Sequence, residues 1–352
     1  MNSSAPHPDT SAPETTLTAQ LLPLVQDLAR HRPASYWTDF LLSIGAFWGA
    51  WIALALRGAV ADAWTVAGFS VAVFALYRAS CFMHEIVHLP RRALPGFRWC
   101  WDLLCGIPML LPSYFYRSHI DHHTTSTYGT QLDPEYLPLL HRSKASMALL
   151  LAGTVAAPLT LWTRFAVVAP LAWCVPAVRR LTDTRLSSVT LHPHYRADAV
   201  RPLQPQTSWR IAEVLATAWA WGATALVISK TVGLWWPASF LAVVLCVLCI
   251  NMLRTAFTHH YAHSGARLTH AQQIADSVTW STGGWLVELF APLGLRYHAL
   301  HHLFPYLPYH ALAKAHARLI AAGAVAAPYQ ATDARTAARS AAPRRPQTSL
   351  TP

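Results

Sequence analysis

Long uncharged apolar runs alternate with polar, proline-broken stretches along this chain. Phe40–Leu56, Val214–Ser229 and Thr231–Leu253 contain no Asp, Glu, Lys or Arg, and Ala63–Met83 contains only Arg78. A helix needs about 20 apolar residues to cross a hydrocarbon core of about 30 Å. The four runs therefore predict four transmembrane helices, over about 40–56, 63–83, 214–229 and 231–253, with Trp37, Asp39 and Glu213 at the interface. The links, Arg57–Asp62 and the residues around Lys230, are short enough to pair the runs into two hairpins whose links share one side. The fold class this implies is an all-α integral membrane protein.

Three further stretches are apolar but interrupted. Trp99–Tyr116, Ala145–Thr163 and Phe165–Val178 carry internal prolines, and we read them as interfacial or half-inserted helices. An extra single crossing would put the chemistry described below on opposite sides of the membrane, whereas two would preserve it. Residues 1–35 are expected to form a disordered or interfacial tail, 36–326 the membrane domain, and 327–352 a second disordered tail. Met1–Thr18 lacks the apolar core of a secretory signal, and the apolar positions of Leu17–Leu28 suggest an interfacial helix weakened by Pro23.

Composition agrees with a membrane setting: hydrophobic residues make up 53%, charged residues 12%, and there are 15 Trp. Of 27 Lys and Arg, thirteen lie between His84 and Glu213 and nine after Leu253, but only Arg57 and Lys230 fall in the links. The positive-inside rule then places both termini and the middle segment in the cytoplasm. The net charge of +11 is thus a topology signal; its dispersal argues against nucleic-acid binding. The six cysteines form no disulfide pattern, and Cys246/Cys249 lack the second pair a zinc site would need.

The candidate chemistry is histidine. His84/His88 form an HxxxH box, and His119/His122/His123 and His298/His301/His302 form two HxxHH boxes. Neutral imidazole suits iron, zinc and copper. On a helix, residues three and four apart share a face, so each box is expected to aim two or three nitrogens at one point. Eight ligands exceed what one tetrahedral zinc accepts and suit two metals with open positions. His84 and His88 fall about 32 and 38 Å along a helix begun at Ala63, at or just past the inner membrane face. All three boxes then meet as a cap on the cytoplasmic face. A fourth cluster, His259, His260 and His263, follows the last run; His259 is read as a ninth ligand, the other two as solvated or headgroup-facing. Glu85, Asp121 and Asp133 are candidates to bond the far nitrogen of a ligand. His310 and His316 read as structural, or as lying near a lipid or partner surface.

With these boxes in view, the chain resembles the integral-membrane fatty acid desaturase and hydroxylase superfamily, over roughly Trp37–Leu319. Box order, the two-hairpin layout, Arg254-Thr255 ahead of His259, and the run Leu295–Pro305 carry the likeness. The resemblance implies two non-haem iron ions held by His84, His88, His119, His122, His123, His298, His301 and His302, with His259 joining them. It implies O2 as co-substrate and a long-chain fatty acyl substrate. With the charge distribution above, the active site is expected to face the cytoplasm, in the inner membrane if the cell is bacterial. Without the His-Pro-Gly-Gly signature of a fused cytochrome b5, electrons are expected from a separate ferredoxin- or rubredoxin-type donor. Desaturation is the reaction expected first, decarboxylation to a 1-alkene second and hydroxylation third. Two competitors are weighed. His84-Glu85-x-x-His88 also fits a membrane zinc metalloprotease with Glu85 as base, which leaves both HxxHH boxes unexplained. A metal transporter predicts ligands inside the spans, where Asn251 is the only strongly polar residue away from helix ends.

Overall fold

The computed structural model describes residues 16–334 except 91, 138–142, 193–194, 203, 205 and 262–264. Regular structure among them is helical, with only isolated bridges such as His259–Ser277 and Thr279–Tyr297. Five stretches are long and apolar enough to cross a membrane. They are α1 (Pro33–Arg57), α2 (Ala63–His88), α3 (Met147–Cys174), α4 (Thr207–Ile228) and α5 (Trp235–Thr258). Amphipathic α6 (Tyr309–Ala321) follows.

α1 and α2 form the first expected hairpin. Pro33 stands at the start of α1, where its missing N–H costs nothing, and Asp62 caps α2 by accepting from Thr65 N at 2.8 Å. Arg57 pairs with the same Asp62 and closes the link. Both helices run past the apolar segments the sequence marks, because polar residues outside the hydrocarbon still prolong a helix. That extension carries His84 and His88 beyond the apolar part of α2.

One side of the hairpin is packed and the other is not. Tyr36, Phe40, Ile44 and Phe47 recur along one face of α1 and are buried with Leu76, Tyr77 and Phe82 of α2 and Val243 and Val247 of α5. Trp51 Nε1 donates to Ser239 Oγ at 3.3 Å, and Trp235 Nε1 donates to the Leu54 carbonyl at 3.0 Å, tying α1 to α5. Outward, Leu42, Leu56, Trp64, Ile228 and Leu234 are each at least 68% exposed. A ring of large apolar side chains on several helices marks a lipid-facing surface.

α3 is where the pattern of expected elements changes. Ala145–Thr163 and the first part of Phe165–Val178, expected as separate pieces, follow one another without a break: α-helix to Thr163, π-helix over Arg164–Val168, α-helix again over Ala169–Cys174. Pro170 falls at the start of the last piece, where a proline is tolerated. Thr154 touches Met252 near the histidine end of α5, and Trp162 donates to Thr224 Oγ1 deep along α4 at 3.1 Å. Arg164 and Trp173 then both reach Glu213, back near the start of α4, at 2.7 and 3.1 Å.

The expected tail boundaries shift as well. Residues 16–28 form a short helix and two single turns broken at Pro23, with Leu21 and Val25 buried beside Leu312, Ala315 and Leu319 of α6. Arg318 pairs with Asp27 across that contact. At the other end Tyr329 is buried in the same cluster, so packed structure continues beyond 326. Part of the apolar stripe that reads as interfacial is buried here against another helix.

Candidate metal centre

Nine imidazoles converge at the end of the bundle where α2 and α5 terminate. His84 and His88, at i and i+4, lie on one face of the last turns of α2. Pro112 and a 3-10 segment, Ser113–Ser118, turn the chain into the short helix His119–His122. His259 is the first residue past α5, in extended conformation, which swings its ring back under the bundle. The third box occupies the short helix His298–Leu303. Gly294, at φ +71°, makes the turn before it, where a Cβ would lie 2.7 Å from Leu312 Cδ1 and 3.1 Å from the Tyr309 carbonyl.

The rings divide into two sets. One nitrogen from each of His84, His88, His119, His123 and His301 lies within 4.8 Å of the others, and the same holds for His122, His259, His298 and His302. Each HxxHH box aims two nitrogens at one set, the lower of the two counts expected from its spacing, and gives its remaining ring to the other set. The sets abut, with the rings of His123 and His302 stacked at 4.3 Å. Two imidazole nitrogens bound at about 2.1 Å stand at most about 4.2 Å apart, so a small inward shift lets each set share one ion.

The hydrogen bonds around the four-histidine set fix where the protons of His122 and His259 sit. Asp133 accepts from Gly129, Glu135 and Tyr136 backbone N–H groups and faces His122 Nδ1 at 2.9 and 3.1 Å. His122 therefore carries its proton on Nδ1. Tyr128 donates to Asp276 Oδ2 at 2.9 Å, so its oxygen accepts from His259 Nδ1 at 2.8 Å. In the neutral rings both Nε2 atoms are then bare lone pairs, yet they face each other at 3.2 Å. His298 Nε2 lies 2.9 Å from His259 Nε2, and His302 Nε2 3.1 Å from His298 Nε2. The facing lone pairs of His122 and His259 repel unless a cation lies between them. In the five-histidine set, His119 Nδ1 meets Glu135 Oε1 at 2.7 Å, and the Nε2 atoms of His84 and His88 are buried without a partner. This donor set fits metal ions.

Electrostatics favour the ligating form for six of the rings. Burial pushes His119, His123, His259, His298, His301 and His302 well below the usual imidazole range, so they are neutral at physiological pH. For His122 burial acts in the same direction, but the Asp133 carboxylate outweighs it and raises the ring above its ordinary value.

The other sequence candidates separate clearly. Asp133 does hold a ligand-candidate ring. Glu85 does not: it accepts from Tyr36 Oη at 2.6 Å and Tyr309 N at 3.2 Å, off the histidine face of α2. A metalloprotease would need that carboxylate beside the metal. Asp121 faces Tyr195 Oη at 2.7 Å and Arg201 at 2.9 Å. His260 is exposed, and His263 lies outside the described residues. His310 accepts from Arg32 N, His316 pairs with Tyr329 Oη, and neither joins the sets. Sequence reasoning missed Glu135, Tyr128 and Asp276, which arrive from non-helical segments or a distant helix. The pair Asp133/Glu135, ten to twelve residues past the second box, was the available signal.

Comparison with known proteins agrees with this geometry. Residues 61–332 match the family model described as fatty acid desaturase. Over 314 residues the chain is 37% identical to a ceramide hydroxylase of Caulobacter vibrioides, a match covering 89% of this chain and 88% of that protein. With three histidine boxes gathered at one end of an apolar helical bundle, the chain belongs to the membrane fatty acid desaturase and hydroxylase superfamily.

Proposed function

We propose that this chain is an O2-dependent lipid hydroxylase that inserts one oxygen atom into a C–H bond of a ceramide-type substrate. The observation that carries this reading is the near full-length similarity to a ceramide hydroxylase. It reverses the order of reactions drawn from the boxes, in which desaturation came first and hydroxylation third, because boxes identify the metal chemistry and not its outcome. The nine histidines are the proposed ligands of two irons, five for one and four for the other. Iron bound there would supply O2 activation. One oxygen atom enters the substrate and the other leaves as water, with two electrons from a separate one-electron carrier and two protons from solvent. The protein's own part is positional: Asp133, Glu135 and the Tyr128–Asp276 pair hold imidazoles in fixed orientation, and burial keeps water from the centre.

The proposed topology has four crossings, with α3 entering and returning on the histidine side. His122, before α3, and His259, after α5, lie 3.2 Å apart. α4 and α5 contribute two crossings between them, so α3 must contribute none or two for that contact to exist. Its return to Glu213 supports the half-inserted reading. The Lys and Arg distribution supports a cytoplasmic histidine face, in the inner membrane of a bacterial cell.

The test uses the iron-loaded protein in nanodiscs with a saturated ceramide, a reduced ferredoxin and 18O2. The expected product is the ceramide carrying one 18O, with none formed under argon. Accumulation of an unsaturated ceramide without oxygen incorporation would return the assignment to desaturation. Turnover of free fatty acid alone would remove the ceramide assignment.

A further inference from the structure

A basic concavity of about 450 Å3 lies at the start of α1, on the histidine end of the bundle. Arg30, His31, Arg32, His310 and Lys314 line it. Arg30, Arg32 and Lys314 are exposed, and none forms a salt bridge among the described residues. The one acid in the lining, Asp27, is engaged by Arg318. Among the described residues, positive charge is therefore left uncompensated on a concave surface.

The floor of this surface leads toward the histidine sets. The Tyr36 ring packs edge-on against His310 at 5.9 Å and Tyr309 at 5.0 Å, and lies 6.1 Å from His31. Its hydroxyl donates to Glu85 at 2.6 Å, and Glu85 adjoins His84 in the chain. A short, buried, aromatic and hydrogen-bonded path thus joins the patch to the five-histidine set.

We infer that this patch is the docking surface for an acidic one-electron carrier protein. The inference rests on the hydroxylase reading, whose stoichiometry requires two electrons from outside. Electron-transfer encounters use small, transient interfaces guided by charge, which suits a compact basic concavity better than a broad apolar face would. The carrier binds through carboxylates to Arg30, Arg32 and Lys314, and its cofactor edge comes to rest over Tyr36 and His310.

The test uses the full-length, iron-loaded protein in uncharged phosphatidylcholine nanodiscs, with a plant-type ferredoxin as probe. Binding of oxidised ferredoxin is titrated at low salt and at about 0.3 M salt, where the Debye length has fallen to about 6 Å. Reoxidation of reduced ferredoxin by the protein is followed in a stopped-flow cell. The variant is Arg30→Glu/Arg32→Glu/Lys314→Glu; Arg180→Glu/Arg185→Glu serves as a remote charge control. The triple variant is expected to weaken ferredoxin binding at least about tenfold at low salt, to slow reoxidation at subsaturating carrier, and to lose the salt dependence. Its iron content and the control variant should match wild type. Equal binding by wild type and triple variant, or equal weakening in the control, overturns the assignment. The titrations are repeated in discs containing phosphatidylglycerol, and a defect that appears only there also overturns the assignment by making this a lipid-headgroup site. Binding is read without lipid substrate, so a failed hydroxylation assay leaves this result standing on its own.

Discussion

Replacing Asp133 by Asn gives the sharpest test of how the second metal set is held. Asp133 is fully buried, faces His122 Nδ1 with both oxygens, and accepts three backbone N–H groups. Asn has the same shape but no charge, and its amide nitrogen must point at a donor on one side. A hydrogen bond to a charged group is worth about 1.5–3 kcal/mol. Loss of a carboxylate behind a ligand histidine typically weakens metal binding 10–100-fold, or about 1.4–2.8 kcal/mol, so two independent estimates agree. His122 belongs to the four-histidine set, so the loss should be selective. Iron measured by mass spectrometry after graded chelator treatment should fall from about two per chain to about one (one ion per set). Asp121→Asn, which lies between the ligand candidates His119 and His122 but is bonded to Tyr195 and Arg201, should retain both irons. Unchanged iron retention in Asp133→Asn, or simultaneous loss of both ions, would refute the claim that this carboxylate fixes one set.

The adjacent residues His301 and His302 should behave differently: His301→Ala should weaken the five-histidine ion and His302→Ala the four-histidine ion, read from the iron spectroscopic signal that survives in each. Tyr36→Phe removes the 2.6 Å bond to Glu85 and should lower thermal stability by about 1.5–3 kcal/mol while iron content stays constant; iron loss would instead make Glu85 part of the metal centre. With intact spheroplasts, a membrane-impermeant maleimide should label Arg57→Cys, but should reach Lys144→Cys and the native, exposed Cys174 only after permeabilisation. Labelling of Cys174 but not Lys144→Cys from outside would make α3 a full crossing.

How much of this could be read from sequence depends on whether a contact is local. His84 and His88 share a face because four residues are little more than one helical turn, and that holds wherever the helix sits. His259 was readable because an apolar run ended six residues before it. Asp121 was misjudged for a local reason: it lies between His119 and His122 on the same short helix, so the turn that aims those rings inward aims it at Arg201. Glu135 and Asp276 have no such local signature, since their position follows from loop paths and a distant helix. α3 was ambiguous because hydropathy measures whether a segment tolerates lipid, not whether it crosses. Its resting place depends on Arg164 and Trp173 finding Glu213 on another helix.

The division of nine rings into five and four follows from the pitch of the helix. At 3.6 residues per turn, positions i and i+4 differ by about 40° around the axis, while i+3 lies about 60° to the other side of i. An HxxHH box therefore sends its outer pair in one direction and its middle ring in another. His119 and His123 go to the first set and His122 to the second; His298 and His302 go to the second and His301 to the first. The two boxes are used in opposite senses, and each contributes to both ions. HxxxH, with no middle ring, serves one set only, and His84 and His88 do so. The first set then totals two, two and one; the second has one and two, and is completed by His259 from the end of α5. The ninth histidine is thus the residue that brings the second set to four, and its extended backbone past Thr258 is what lets it reach that place.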